Sequence, residues 1–228
     1  MLREILSALS GTDVLAEMID QVARMLQAGR QMFGQASEVL MRAVEWKDVA
    51  DDLYARDRQV NRIEQDVRER IITHLSVGNQ ADLSACLILM SVVKDAERIG
   101  DYCKNIFEVG KFYGHDYTRP HYAKPLEGIR FGIEPLFAKA EKAFTDADRA
   151  VARDVLGAAG GLMRTCDVII QQLLSSNEEM SADEAVAYVL LARFYKRVSA
   201  HLGNIASSVV SPVPLIDYRG GAKLEPAP

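Results

Sequence analysis

The chain has 228 residues, with 27 basic and 32 acidic side chains, a net charge of −5 and a pI near 5.5. At 49% hydrophobic and 26% charged it can bury a sizeable core, which excludes disordered, collagen-like and mini-protein classes. Its acidic balance argues against a nucleic-acid binder, which carries a basic face, and seven prolines and 15 glycines are too few for an all-β protein of tight turns.

Helical periodicity runs through the chain. Leu15, Met18, Val22, Met25, Gly29, Met32, Ala36, Val39 and Ala43 step by alternating three and four, the seam of a long helix packed in a bundle, with capping residues at 10–13. Gly29 and Gly34 within it suggest a bend or a close helix approach. After a turn near Lys47–Asp51, a second helix carries Val60, Ile63, Val67, Ile71 and Leu75 on one stripe and stops at Gly78-Asn79. Asp82 is the expected cap of a third helix from Leu83 to about Tyr113. Gly114–Pro125, with two prolines and two histidines, reads as a linker. A fourth helix is expected over Leu126–Phe144, kinked or delayed at Pro135. Thr145–Asp148 caps a fifth helix running to about Ser176, and Ser181–Glu184 forms a capping box for a sixth over Ala182–Val210. Pro212 and Pro214 end it, leaving a tail expected to be mobile.

Cys86, Cys103 and Cys166 form no CxxC pair and sit in apolar helical contexts, so they read as small buried hydrophobes in a reducing compartment. The first residues lack the shape of a signal peptide, and the longest apolar run, Ala85–Met90, falls far short of the ~20 residues of a membrane span. A cytoplasmic location is expected.

The third helix also overlays the sixth at an offset of 99 residues. Glu97–Ile106 (ERIGDYCKNI) then faces Lys196–Ile205 (KRVSAHLGNI), matching Arg98 with Arg197, Ile99 with Val198, Asn105 with Asn204 and Ile106 with Ile205. The fold expected is all-α: six long helices in two tandem three-helix repeats, over 10–113 and 126–211, joined by a linker at 114–125 and followed by a tail at 212–228.

Asp57, Asn61 and Glu64 stand at i, i+4 and i+7 of the second helix, and Glu97, Asp101 and Asn105 at i, i+4 and i+8 of the third. Each set occupies one helical stripe. Facing each other, the stripes gather four carboxylates and two amide oxygens, and uncompensated buried carboxylates cost several kcal/mol apiece. A hard cation such as Mg, Mn, Ca or Fe resolves that conflict. The competing reading is a solvated face, with Arg58, Arg62 and Arg98 pairing the acids. Residues 1–114 carry 18 acids and 14 bases, so the acidic excess lies with the stripes. His74 lies near a helix end, where protonation suits the dipole. His201 falls at the position equivalent to Tyr102 and reads as a packed residue. No Glu-x-x-His precedes His74, His115, His121 or His201, and G-x-S-x-G, P-loop and H-E-x-x-H motifs are absent from the sequence, so no catalytic residue is assigned.

Asp57–Val67 (DRQVNRIEQDV), Gly78–Leu83 and Ala96–Ile106 (AERIGDYCKNI) resemble the PhoU family of phosphate-signalling proteins, and the resemblance extends over about residues 10–215. It implies two three-helix repeats and a cytosolic, often dimeric regulator, not an enzyme. Such a protein restrains phosphate uptake and the starvation response through the phosphate ABC transporter and its sensor kinase, without contacting nucleic acid and reaching the membrane only through protein partners. The resemblance also implies a metal held by Asp57, Asn61, Glu64, Glu97 and Asp101, with Asn105 adjacent. In the second repeat the equivalents are Leu156, Gly160, Met163, Lys196 and Ala200, so no carboxylate survives. One divalent or trivalent ion (Fe, Mn, Mg or Zn) per chain at most is the expectation. The alternatives are an accessory protein of another phosphate permease and a metal-free structural bundle.

Overall fold

Long apolar stripes and few helix breakers leave the chain little choice but helix. The computed structural model describes residues 13–78 and 80–217, and among them it has six long α-helices and no strand. These are α1 (Asp13–Leu40), α2 (Trp46–Ser76), α3 (Leu83–Phe112), α4 (Pro120–Thr145), α5 (Arg149–Ser175) and α6 (Ala182–Val210). None is long and apolar enough to cross a membrane.

The seam of α1 is buried from Leu15 to Val39. A side chain at Gly29 would stand 3.2 Å from Ile99 Cγ2, so α1 and α3 approach closely there, whereas Gly34 faces open space. The helix ends at Leu40, before the expected Ala43, because Arg42 adopts a φ of 56°. The cap expected at 10–12 lies outside the described residues.

Other boundaries differ from expectation for local reasons. The turn predicted near Lys47–Asp51 is already helix, and Lys111 sits 4.6 Å over the Trp46 ring at the start of α2. Asp82 does not cap α3; it ends a 3₁₀ turn at Gln80–Asp82 and accepts a hydrogen bond of 2.8 Å from His74 Nε2. α4 begins at Pro120, well inside the expected linker, and contains Pro125 and Pro135. Each proline leaves the carbonyl four residues earlier without its helical partner. Those carbonyls belong to His121 and Phe131, both exposed, so water can take the place of the missing donor. The two expected caps at α5 and α6 form: Asp148 Oδ1 accepts from the backbone of Ala150 and Val151, and Ser181 Oγ from that of Glu184. The segment after α6 forms a 3₁₀ turn at Val213–Leu215 beside α3, and the Asp217 N–H donates to Ser207 Oγ. The rest of the expected tail, 218–228, lies outside the described residues.

The helices form two layers. α2, α3, α6 and α5 lie side by side in that order, with α1 over α2 and α3, and α4 over α5 and α6. Phe33 of α1 meets Phe137 of α4 and Tyr195 of α6 at ring distances of 5.6 and 6.0 Å, locking the two layers together. All three cysteines are buried thiols, as their contexts predict. Burial pushes Cys166 up to about 12, so it stays a thiol at neutral pH.

The pair α3–α6 joins the two three-helix units and carries a buried polar chain. Arg197 Nη2 donates to His201 Nε2 (3.3 Å), which leaves the imidazole proton on Nδ1, donated to Asp95 Oδ1 at 2.6 Å. Asn204 Nδ2 donates to the same oxygen, Arg197 Nε donates to Tyr102 Oη, and Tyr102 stacks on His201. Removing one member strands a buried polar group. His201→Ala is therefore expected to lower the unfolding free energy by about 2–4 kcal/mol, measured by urea denaturation. Gly34→Ala, in a helix with free space around it, is expected to raise it by about 1 kcal/mol in the same assay.

Candidate functional site

α2 and α3 lie antiparallel and side by side, so the stripes at Asp57–Glu64 and Glu97–Asp101 face one groove. Asp57, Glu64 and Glu97 are buried and Asp101 is half-buried. Asn61 is half-buried on the same stripe of α2. Asn105 instead lines a cavity of about 370 Å³ between α3 and α6, with Phe112, Val186, Leu190 and Phe194.

The carboxylates come together as two lysine-bridged pairs. Lys94 Nζ sits 2.7 Å from Glu97 Oε2 and 3.4 Å from Glu64 Oε1. Lys104 Nζ sits 3.0 Å from Asp57 Oδ1 and 3.2 Å from Asp101 Oδ1. Arg98 adds a contact of 3.1 Å to Asp101, and Arg68 one of 3.0 Å to Glu64. Four acids thus meet four bases, and the buried-charge conflict inferred from the sequence is met by the protein's own cations. Burial alone would pull Lys104 down, but its bonds to Asp57 and Asp101 outweigh that and raise it. Of the arginines considered as partners, Arg98 pairs as expected. Lys94 and Lys104 were missed, although their places three residues before Glu97 and three after Asp101 could have revealed them.

Among the described residues no group of three or more His, Cys, Asp or Glu side chains converges as a ready metal cage. The donor set is nevertheless all oxygen. Glu64 Oε1 is buried and has no hydrogen bond, its neighbours Arg68 and Lys94 lying within ion-pair distance but without hydrogen-bond geometry. That oxygen keeps lone pairs for a cation. These residues fit a hard ion once the ammoniums of the half-buried Lys94 and Lys104 turn outward on their flexible stems.

The groove between α5 and α6 has the opposite character. It encloses about 590 Å³ lined by Gly160, Met163, Arg164, Lys196, Arg197 and Ala200, among others. Lys196 pairs with Asp167, where the first unit has Glu97 and Arg68 at the offset positions. Asp217 projects to its edge, accepting from Ser91 Oγ at 2.9 Å; burial and the neighbouring Asp95 raise its pKa. His201, read as a packed residue, is buried on Asp95.

The family model for the PhoU domain matches residues 22–109, the stretch that holds the acidic groove. The chain is 24% identical over 193 residues to a phosphate-specific transport system accessory protein PhoU homolog of Thermotoga maritima, covering 79% of this chain and 82% of that protein. Among solved structures it resembles PhoU from Pseudomonas aeruginosa, with a TM-score of 0.77 and 19% identity over 88% of this chain and 97% of that one. It also resembles the phosphate transport system regulatory protein PhoU from Streptococcus pneumoniae, with a TM-score of 0.69 and 16% identity over 87% and 94%. Residues 22–109 thus match the PhoU domain, and the chain as a whole shares the helical fold of these two PhoU structures.

Proposed function

We propose that this chain is a cytoplasmic regulator of phosphate uptake and phosphate-starvation signalling, acting as a homodimeric adaptor to the phosphate ABC transporter and its sensor kinase. The observation that carries the proposal is the likeness to the Thermotoga accessory protein, which spans both three-helix units rather than one. Deleting the gene in its own host is expected to leave a phosphate-starvation reporter on in phosphate-rich medium. Affinity capture of the tagged chain is expected to recover subunits of the ABC transporter. Recovery of a different phosphate permease alone would instead make it that permease's accessory protein.

Within this proposal one divalent or trivalent metal ion per chain, Fe, Mn, Mg or Zn, is held by Asp57, Asn61, Glu64, Glu97 and Asp101. Such an ion ties α2 to α3 through oxygen ligands. Support comes from the facing carboxylates and from the unbonded Glu64 Oε1; Lys94 and Lys104 occupy the ion's place and must swing out as it enters. Metal titration of chelator-treated protein tests this. Glu97→Gln combined with Asp101→Asn is expected to abolish uptake. Lys104→Gln, which removes a competing cation, is expected to tighten it several-fold. Uptake that survives the double substitution would refute the site, and no uptake by the unaltered chain would favour a metal-free, lysine-clamped bundle.

A further inference from the structure

Arg130 of α4 is 7% exposed, and among the described residues no carboxylate forms an ion pair with it and no hydrogen bond engages its guanidinium. Its recorded contacts are the ring of its neighbour Phe131, 4.0 Å from the guanidinium carbon, and an electrostatic interaction with the buried Tyr195 of the same cavity; both attract the charge without neutralising it, since burial keeps the Tyr195 phenol protonated. A buried cation without a counter-ion is costly, and proteins retain such groups where a ligand supplies the missing charge.

The surroundings are built for that charge. Arg130 lines an open cavity of about 200 Å³ bordered by the end of α1, the 113–119 segment, α4 and α6. Tyr117, from the connecting segment, lines it too, and its buried hydroxyl has no hydrogen-bond partner. Desolvation and the neighbouring tyrosines keep that hydroxyl protonated well beyond neutral pH, so it is available as a donor. Lys124 adds an ammonium at the rim, while Leu40, Leu126 and Leu191 form apolar walls. Glu127, the acid at the same rim, is exposed and makes no ion pair with Arg130.

We propose that this cavity binds a small tetrahedral oxyanion of the phosphate class, with Arg130 as its main counter-charge, the Tyr117 hydroxyl as a second donor and Lys124 at the mouth. A guanidinium presents several N–H donors in a fixed fork that matches such an anion. The cavity touches both three-helix units, through Leu40 of the first and Leu191 of the second, so an anion there would bear on how the units pack. The choice of phosphate as ligand rests on the function proposed above; the site itself does not involve the α2–α3 groove.

Calorimetric titration of chelator-treated protein with inorganic phosphate, sulfate and acetate in parallel tests the site. One saturable phosphate site per chain is expected, tighter than acetate, weakened at least about tenfold by Arg130→Gln and several-fold by Tyr117→Phe, and unchanged by Glu97→Gln. Thermal unfolding gives a second readout. Phosphate should raise the melting temperature of the unaltered chain but not of Arg130→Met, whose ligand-free melting temperature should be no lower than that of the parent. Absence of saturable phosphate binding, stronger binding of acetate, wild-type binding by both variants, or a marked ligand-free destabilisation of Arg130→Met would overturn the proposal. Normal reporter control in cells alongside absent phosphate binding would refute the anion site and leave the regulatory function standing. Intact binding alongside lost control would do the reverse for a variant that folds.

Discussion

The contact between α3 and α6 is the constraint on which the rest of the structure depends. Each three-helix unit leaves one helix flank uncovered, and these two helices close that gap against each other. Apolar packing supplies most of the stabilisation, because Ile99, Ile106, Val198, Leu202 and Ile205 are fully buried. The chain Tyr102–Arg197–His201–Asp95–Asn204 adds directionality, since its bonds close in one register of α3 against α6. Fixing that register also fixes where the two outer grooves stand, with α2 beside α3 on one side and α5 beside α6 on the other.

The two grooves show how one scaffold can carry opposite chemistry. In the first, four acids are gathered and balanced by Lys94, Lys104, Arg68 and Arg98. In the second, the positions equivalent to the acids hold Leu156, Gly160, Met163, Lys196 and Ala200, and two arginines face the open space that the small residues leave. The exchange is local to side chains, because helix packing at these positions depends on size and spacing more than on charge. The acidic excess of the first half therefore belongs to a groove that is itself electrically balanced.

Much of the site was legible in the sequence because it lies along single helices. Asp57, Asn61 and Glu64, or Glu97 and Asp101, share a stripe by periodicity alone, and the structure brings the two stripes into one groove. The counter-ions were less legible. Arg58 and Arg62 are nearer in sequence to the acids of α2, yet Lys104 of α3 reaches across to Asp57, a choice made by the facing of two helices. Asn105 shares its stripe with Asp101 but lines the cavity toward α6, because a helix packed on two sides divides its stripe between two neighbours. Arg130 gave no signal at all, since an arginine in an amphipathic helix reads as solvated until its burial is known.

By itself the sequence determined the helical class, the number and approximate bounds of the helices, the buried cysteines and the caps at Asp148 and Ser181. All of these depend on interactions within one or two helical turns, or on periodicity along one element. Only the tertiary structure decided that helix α4 runs through two prolines, that lysines answer the carboxylates, that His201 meets Asp95, and that the buried Arg130 lines one cavity with Tyr117. Each of these requires knowing which helix faces are covered and by what, which is settled by the packing of elements far apart in the chain.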